Sequence, residues 1–331
     1  MLKFKPRVRH KLLEVGENHY LYPYSNILPL KQITIKNEYI SLTVLEYGAI
    51  IQKMLVKDKD GNEVNVVIGH EQPEAYFNDE HSLGACIGRY AGRISQGGFR
   101  LDGEFYPIHN ENEVHLHGGI AGFGKKHWTI IEEHTGGNSF LKLSYESEHL
   151  EEGYPGNLIA SVTYKLVDNA LHILHEAQTD KTTVVNLTNH AYFKLDGEES
   201  IDHYNLELKS EGFLDVDRKM VPTGDIIAVG NTPNDFLKGK KIGQVRLDTP
   251  FIFSPNCENA AKVSSDVSGI VMTVTTNQPS IVIYTPTSFP AICFETQNFP
   301  DAPNHSNFPS SILRQGEIYR NESTFAFGTL K

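Results

Sequence analysis

The chain has 331 residues, 39% of them hydrophobic, with 17 Phe and 15 Tyr, enough apolar material for a substantial core in one large domain or two average ones. Its formal net charge of −11 excludes nucleic acid and an anionic membrane as main partners, because both select clustered Lys and Arg. A neutral ligand fits that balance better.

Residues up to about Leu30 carry Pro6, Pro23 and Pro29 without periodicity and read as an extended arm or capping segment over 1–30. The basic start MLKFKPRVRHKLLEVG lacks the continuous apolar stretch of a signal peptide, and no later segment is long and apolar enough for a spanning helix. Cys86, Cys257 and Cys293 are odd in number and lack a CxxC pairing. They read as reduced thiols rather than a disulfide framework or zinc site, which points to a cytoplasmic protein.

From Lys31 onward apolar residues recur every second position. Ile33 and Ile35, then Ile40, Leu42 and Val44, alternate with polar neighbours, as in strands with one buried face. Ile50 to Val56, the turn Lys59 to Gly61 and Val64 to Ile68 predict a hairpin. Phe99 to Leu101 and Glu104 to Tyr106 flank Asp102-Gly103, a dipeptide that tolerates the positive φ angles of a tight turn. Trp128 to Glu132 with Phe140 to Tyr145, and Ile159 to Val167 with Leu171 to Gln178, predict two more hairpins. No stretch sustains a helical period. The chain is therefore expected to be all-β: one domain over 1–331 forming a large antiparallel β-sandwich.

Four polar clusters interrupt this pattern. In GRYAGRI, Arg89 and Arg93 enter a stretch that otherwise reads as buried, where a guanidinium needs a carboxylate or ligand oxygen. In VHLHGG, His115 and His117 are two apart and would share one face of a strand, while Gly118-Gly119 allow close backbone approach. No H-E-x-x-H or cysteine pair supplies further ligands, so a hydrogen-bonding role is preferred to a metal site. In VVNLTNHAYFKL, His190 and Tyr192 lie on one side of an extended segment, with Asn186, Thr188 and Asn189 expected to fix the His190 ring. In AICFETQNFPDAPN, Glu295 ends a buried strand, and desolvation should raise its pKa. Taken singly, each has a structural reading: an arginine paired with an acid, a satisfied histidine, a neutralised glutamate. Together, without a P-loop, a GxGxxG or a nucleophile elbow, they suit proton transfer on a neutral polyhydroxy compound.

These stretches, in order with EEGYPGNL, VPTGDI, TPNDF and TNQPSIVIYTP, resemble the aldose 1-epimerase (galactose mutarotase) family over about Lys31 to Phe327. The resemblance implies a mutarotase-type β-sandwich holding a sugar on its concave face. It implies His190 as the acid that protonates the ring oxygen, Glu295 as the base on the anomeric hydroxyl, and His117 as a second histidine near both. It implies Arg93, Tyr192, Asp235 and Gln278 as sugar contacts, with Gly92 standing where the family usually has Asn. The family's aromatic-Asp-His motif reads as absent, with QVRLDTPF (Gln244 to Phe251) in its place. The expected reaction is interconversion of α and β anomers of a free hexose such as galactose or glucose, needing no metal and no organic cofactor. The expected partner is a small monosaccharide, and monomer and homodimer stay open. An epimerase for another, even phosphorylated, sugar and a non-catalytic carbohydrate binder are the alternatives.

Overall fold

The structure is a computed structural model that describes residues 30–253 and 257–330. The expected N-terminal arm thus lies outside the described residues, apart from Leu30.

The alternating segments form two large sheets. The first has nine strands in the order Thr129–His134, Phe140–Ser147, Leu158–Val167, Ala170–Thr179, Tyr319–Thr329, Ile270–Thr276, Ala261–Ser264, Asn205–Leu208, Lys240–Lys241. The second has six: Tyr192–Phe193, Ile292–Gln297, Ser280–Tyr284, Asp248–Ile252, Gly212–Val216, Pro222–Ala228. Every pairing within these two sheets is antiparallel. A sequential four-stranded sheet, Gln32–Lys36, Ser41–Leu45, Ile51–Lys57 and Glu63–Asn65, adds its apolar side to the same core. Helix is confined, among the described residues, to four short 3-10 turns. The expected all-β class and hairpins are present. The Asp102-Gly103 turn has φ of 50° and 85° at its two residues, as a tight two-residue connection requires.

One apolar cluster fills the space between the large sheets. Phe193 and Phe294 from the six-stranded sheet meet Phe325 and Phe327 from the nine-stranded one; the Phe193 ring lies 5.5 Å from Phe325 and 6.1 Å from Phe294. Burying each such ring stabilises the fold by roughly 1.5–3 kcal/mol. Ile281, Ile283 and Ile292 point into this core as well. Because side chains alternate along a strand, their neighbours Val282, Tyr284, Cys293, Glu295 and Gln297 point the other way. The inter-sheet core therefore fixes the backbone whose opposite face carries the polar clusters.

Candidate active site

Strand Ile292–Gln297 is buried at all six positions, although one face carries Glu295 and Gln297. Its partners are in register: Tyr192 opposite Cys293, Cys293 opposite Tyr284, and Tyr284 opposite Asp248; one row along, Glu295 is opposite Val282, which is opposite Pro250. Directly opposed residues share a face, so four strands present one surface. A cavity of about 210 Å³ opens on it, with His117, Arg93, Gly92, His190, Glu295 and Asp248 in its wall. That is smaller than the roughly 300–1,000 Å³ of clefts for drug-sized ligands and suits a single small ring.

His190 follows the two-residue strand Thr188–Asn189, and its backbone is held between Ala85 and Gly84: its N–H donates to the Ala85 carbonyl, and its carbonyl accepts from Gly84. Its ring stacks on Tyr192 at 4.9 Å and meets the His117 ring edge-on at 5.3 Å. Nε2 lies 3.5 Å from Glu295 Oε1, and Nδ1 lies 3.6 Å from Cys293 Sγ. Burial pushes His190 down to about 4 and Glu295 up to about 8; the nearby Asp248 adds to the rise at Glu295 and Arg93 opposes it. Near neutrality the pair thus holds one proton, and neither group bears an unneutralised charge.

His117 ends up on this surface by a local exception. The strand His115–Leu116 stops one residue earlier, and His117 takes a left-handed backbone with φ of 50°. The expectation that His115 and His117 share a strand face is therefore corrected. His115 turns into a separate cluster, 2.6 Å from the Tyr154 hydroxyl and 2.5 Å from the His109 carbonyl. His117 Nδ1 accepts the Gly92 N–H at 3.2 Å. Burial, with the His190 and Arg93 charges behind it, holds His117 well below its ordinary pKa. A neutral imidazole whose Nδ1 accepts must carry its proton on Nε2, so His117 offers the cavity a donor.

Donor atoms of His117, His190 and Glu295 lie within 4.8 Å of one another, a spacing at which a cation could be held. The Gly92 hydrogen bond argues against that use: His117 Nε2 keeps its hydrogen and has no lone pair to give a metal.

The two arginines separate by role. Arg89 is buried and donates to the carbonyls of Ser147, Glu148, Pro155 and Gly156, which ties loops together away from the cavity. Arg93 lies in the cavity wall with Nη2 3.3 Å from Asp248 Oδ2. Asp248 belongs to the QVRLDTPF stretch that replaces the family's aromatic-Asp-His motif: the aromatic and the histidine are absent, with Leu247 and Thr249 in their places, but the aspartate itself is present. The visible signal was a carboxylate within a strand of apolar and β-branched residues.

Of the other sequence-derived contacts, Tyr192 and Gly92 reach the wall. Tyr192 supports the His190 ring and donates its hydroxyl to the His81 carbonyl at 2.9 Å. Gly92 has φ of 77°, and an added Cβ would come within 3.1 Å of Pro300 and 3.2 Å of Gln297 Nε2. Asp235 and Gln278 are not among the residues lining this cavity. Asp235 accepts the Leu237 N–H in a turn, and Gln278 donates to Asn277 and to the Arg320 carbonyl. Asn186 and Asn189 do not touch the His190 ring as expected; they hold backbone, Asn186 at Ala91 and Asn298, Asn189 at Gly84 and Ala191. The ring is set instead by Tyr192, Cys293, Glu295 and His117. Sequence reasoning also missed Gln297, which lines the cavity two residues beyond Glu295 and so on its face.

An acid–base pair, a fixed N–H donor and an arginine–aspartate pair around a small cavity can move protons on a hydroxylated ring. The aldose 1-epimerase family model matches residues 31–326. Galactose mutarotase of Rattus norvegicus is 34% identical over 326 residues, covering 90% of this chain and 94% of that protein. Aldose 1-epimerase of Escherichia coli is 30% identical over 333 residues, covering 90% and 95%. Among solved structures, an aldose epimerase homologue from C. elegans superposes with a TM-score of 0.86 at 29% identity, over 91% of this chain and all of that one. A galactose 1-epimerase from Lactobacillus acidophilus gives 0.83 at 28% identity, over 94% and 98%. Matched by the family model over residues 31–326 and 34% identical to a curated mutarotase over 90% of its length, the chain belongs to the aldose 1-epimerase family of isomerases.

Proposed function

We propose that the protein interconverts the α and β anomers of a free hexose, galactose or glucose, by opening and reclosing the sugar ring. The observation that carries this reading is the buried pair of His190 and Glu295, 3.5 Å apart and holding one proton. Ring opening removes a proton from the anomeric hydroxyl and delivers one to the ring oxygen, so the hemiacetal C–O bond breaks as the C1 carbonyl forms. The reacting form is the tautomer in which the pair's one proton has passed from Glu295 to His190, 3.5 Å away; Glu295 then takes the hydroxyl proton, and His190 gives its own to the ring oxygen. Rotation about C1–C2 turns the other carbonyl face to the ring hydroxyl, and the same steps in reverse close the other anomer. His117 Nε2–H donates beside the reacting oxygens, while Arg93 and Asp248 offer a paired donor and acceptor to hydroxyls farther from C1. Each group needs only protons already in the pair, so the chemistry calls on no organic cofactor. Three free cysteines, two of them buried, support a cytoplasmic setting.

The test is polarimetry on freshly dissolved α-galactose and α-glucose. The expected result is relaxation to the equilibrium rotation well above the spontaneous rate. kcat/KM should be highest while the pair holds one proton, and should decline below about pH 4 and above about pH 8. Relaxation at the spontaneous rate for both sugars would leave a carbohydrate binder as the better account.

A further inference from the structure

Gln297 is fully buried and in the cavity wall, yet its Oε1 has no hydrogen-bond partner. Its other amide atom is committed: Nε2 donates to the Asn298 carbonyl at 3.3 Å, which fixes Oε1 as the free acceptor. Ser280, directly opposite on the neighbouring strand, is spent on the Gln297 backbone carbonyl at 2.8 Å. Across the cavity corner stands Gly92; a Cβ there would lie 3.2 Å from Gln297 Nε2. A buried acceptor without a partner is costly unless a ligand supplies one.

The strand direction says which part of the ligand that is. His190 contacts Cys293 and Glu295, and Gln297 lies on the far side of Glu295, two residues or about 6.6 Å along the strand. With the ring oxygen at His190 and the anomeric hydroxyl at Glu295, the line from one to the other continues to C2. We propose that Gln297 is a specificity-determining residue whose Oε1 accepts a hydrogen bond from the C2 hydroxyl of the bound aldose. This rests on the mutarotase reading above, and it selects 2-hydroxy aldoses over their 2-deoxy counterparts.

The experiment compares galactose with 2-deoxygalactose by polarimetry, each corrected for its spontaneous rate, in the wild type, Gln297→Met and Gln297→Glu, with thermal melting to verify folding. Methionine keeps the length and removes the acceptor; glutamate keeps an acceptor oxygen. Relative to the wild type, the galactose to 2-deoxygalactose ratio of kcat/KM should shrink about 3- to 10-fold in Gln297→Met. The change should appear mainly in KM for galactose, and Gln297→Glu should keep the ratio. Comparing each variant with the wild type cancels the intrinsic reactivity difference between the sugars. An unchanged ratio in a folded Gln297→Met, equal losses on both sugars, or a lost ratio in a folded Gln297→Glu would each overturn the assignment while leaving mutarotation intact. A wild type inactive on every aldose instead removes the parent reading, and this one with it.

Discussion

The two faces of strand Ile292–Gln297 are equally buried and chemically opposite. On one, Ile292 and Phe294 pack into the core between the large sheets, where close contact is all that is required. On the other, Cys293, Glu295 and Gln297 are as deeply covered, but Glu295 faces His190 at 3.5 Å and Gln297 keeps an unpartnered oxygen. Burial stabilises the first face. On the second it shifts proton affinities, raising Glu295 to about 8 and lowering His190 to about 4. The core face supplies the rigidity that makes this possible, since a desolvated carboxylate on a loose strand would reach water instead.

The sharpest way to break the comparison is to neutralise the polar face alone. Replacing Glu295 with Gln should lower catalysed mutarotation by about 10²- to 10⁴-fold, with far-UV circular dichroism unchanged. His190→Asn should do the same. A Glu295→Gln protein retaining activity within tenfold of the wild type would mean that the base lies elsewhere. The converse change strikes the core face. Phe294→Ala leaves a cavity beside Phe193 and should cost about 3–5 kcal/mol in denaturant unfolding, while KM of the folded fraction stays within a fewfold. A large KM change without loss of stability would mean that the two faces are not separable in this way.

Much of this division was legible in the sequence. Alternation located the strands and hairpins because a half-buried strand must repeat every two residues, and Glu295 stood out as a carboxylate closing an apolar run. The same rule of two would have placed Gln297 beside Glu295. It misled at His115 and His117, where the strand ends at Leu116 and a left-handed residue turns His117 out of the strand's face. That break leaves only the following glycines as a hint. Asp235 and Gln278 were carried over from motif resemblance alone; a turn hydrogen bond and a network around Asn277 hold them off the cavity. The Arg93–Asp248 pair joins residues 155 positions apart. No local pattern encodes such a contact; sheet register makes it, by setting Asp248 in the same cross-strand row as Tyr284 and Cys293.

The last test separates the two uses of burial within a single variant. The folded-state pKa of Glu295, about 8, lies above its ordinary value of 4.5, so the folded protein binds that proton more tightly than the unfolded chain does. Its stabilising contribution is fully present below about pH 4.5 and is lost as pH rises through about 8. Gln cannot ionise and shows no such loss. Glu295→Gln should therefore match the wild type most closely near pH 4.5 and become progressively more stable than it up to about pH 8, with a constant gap beyond. A shift from 4.5 to about 8 sets that plateau gap at up to about 5 kcal/mol, measured as the difference in unfolding free energy across a pH series. A variant less stable than the wild type at pH 8, by a margin that grows with pH, would show that Glu295 is ionised and stabilised by Arg93 in the free protein. In that case the polar face would be held together by charge pairing, and the contrast with the core face would rest on electrostatic attraction rather than on desolvation.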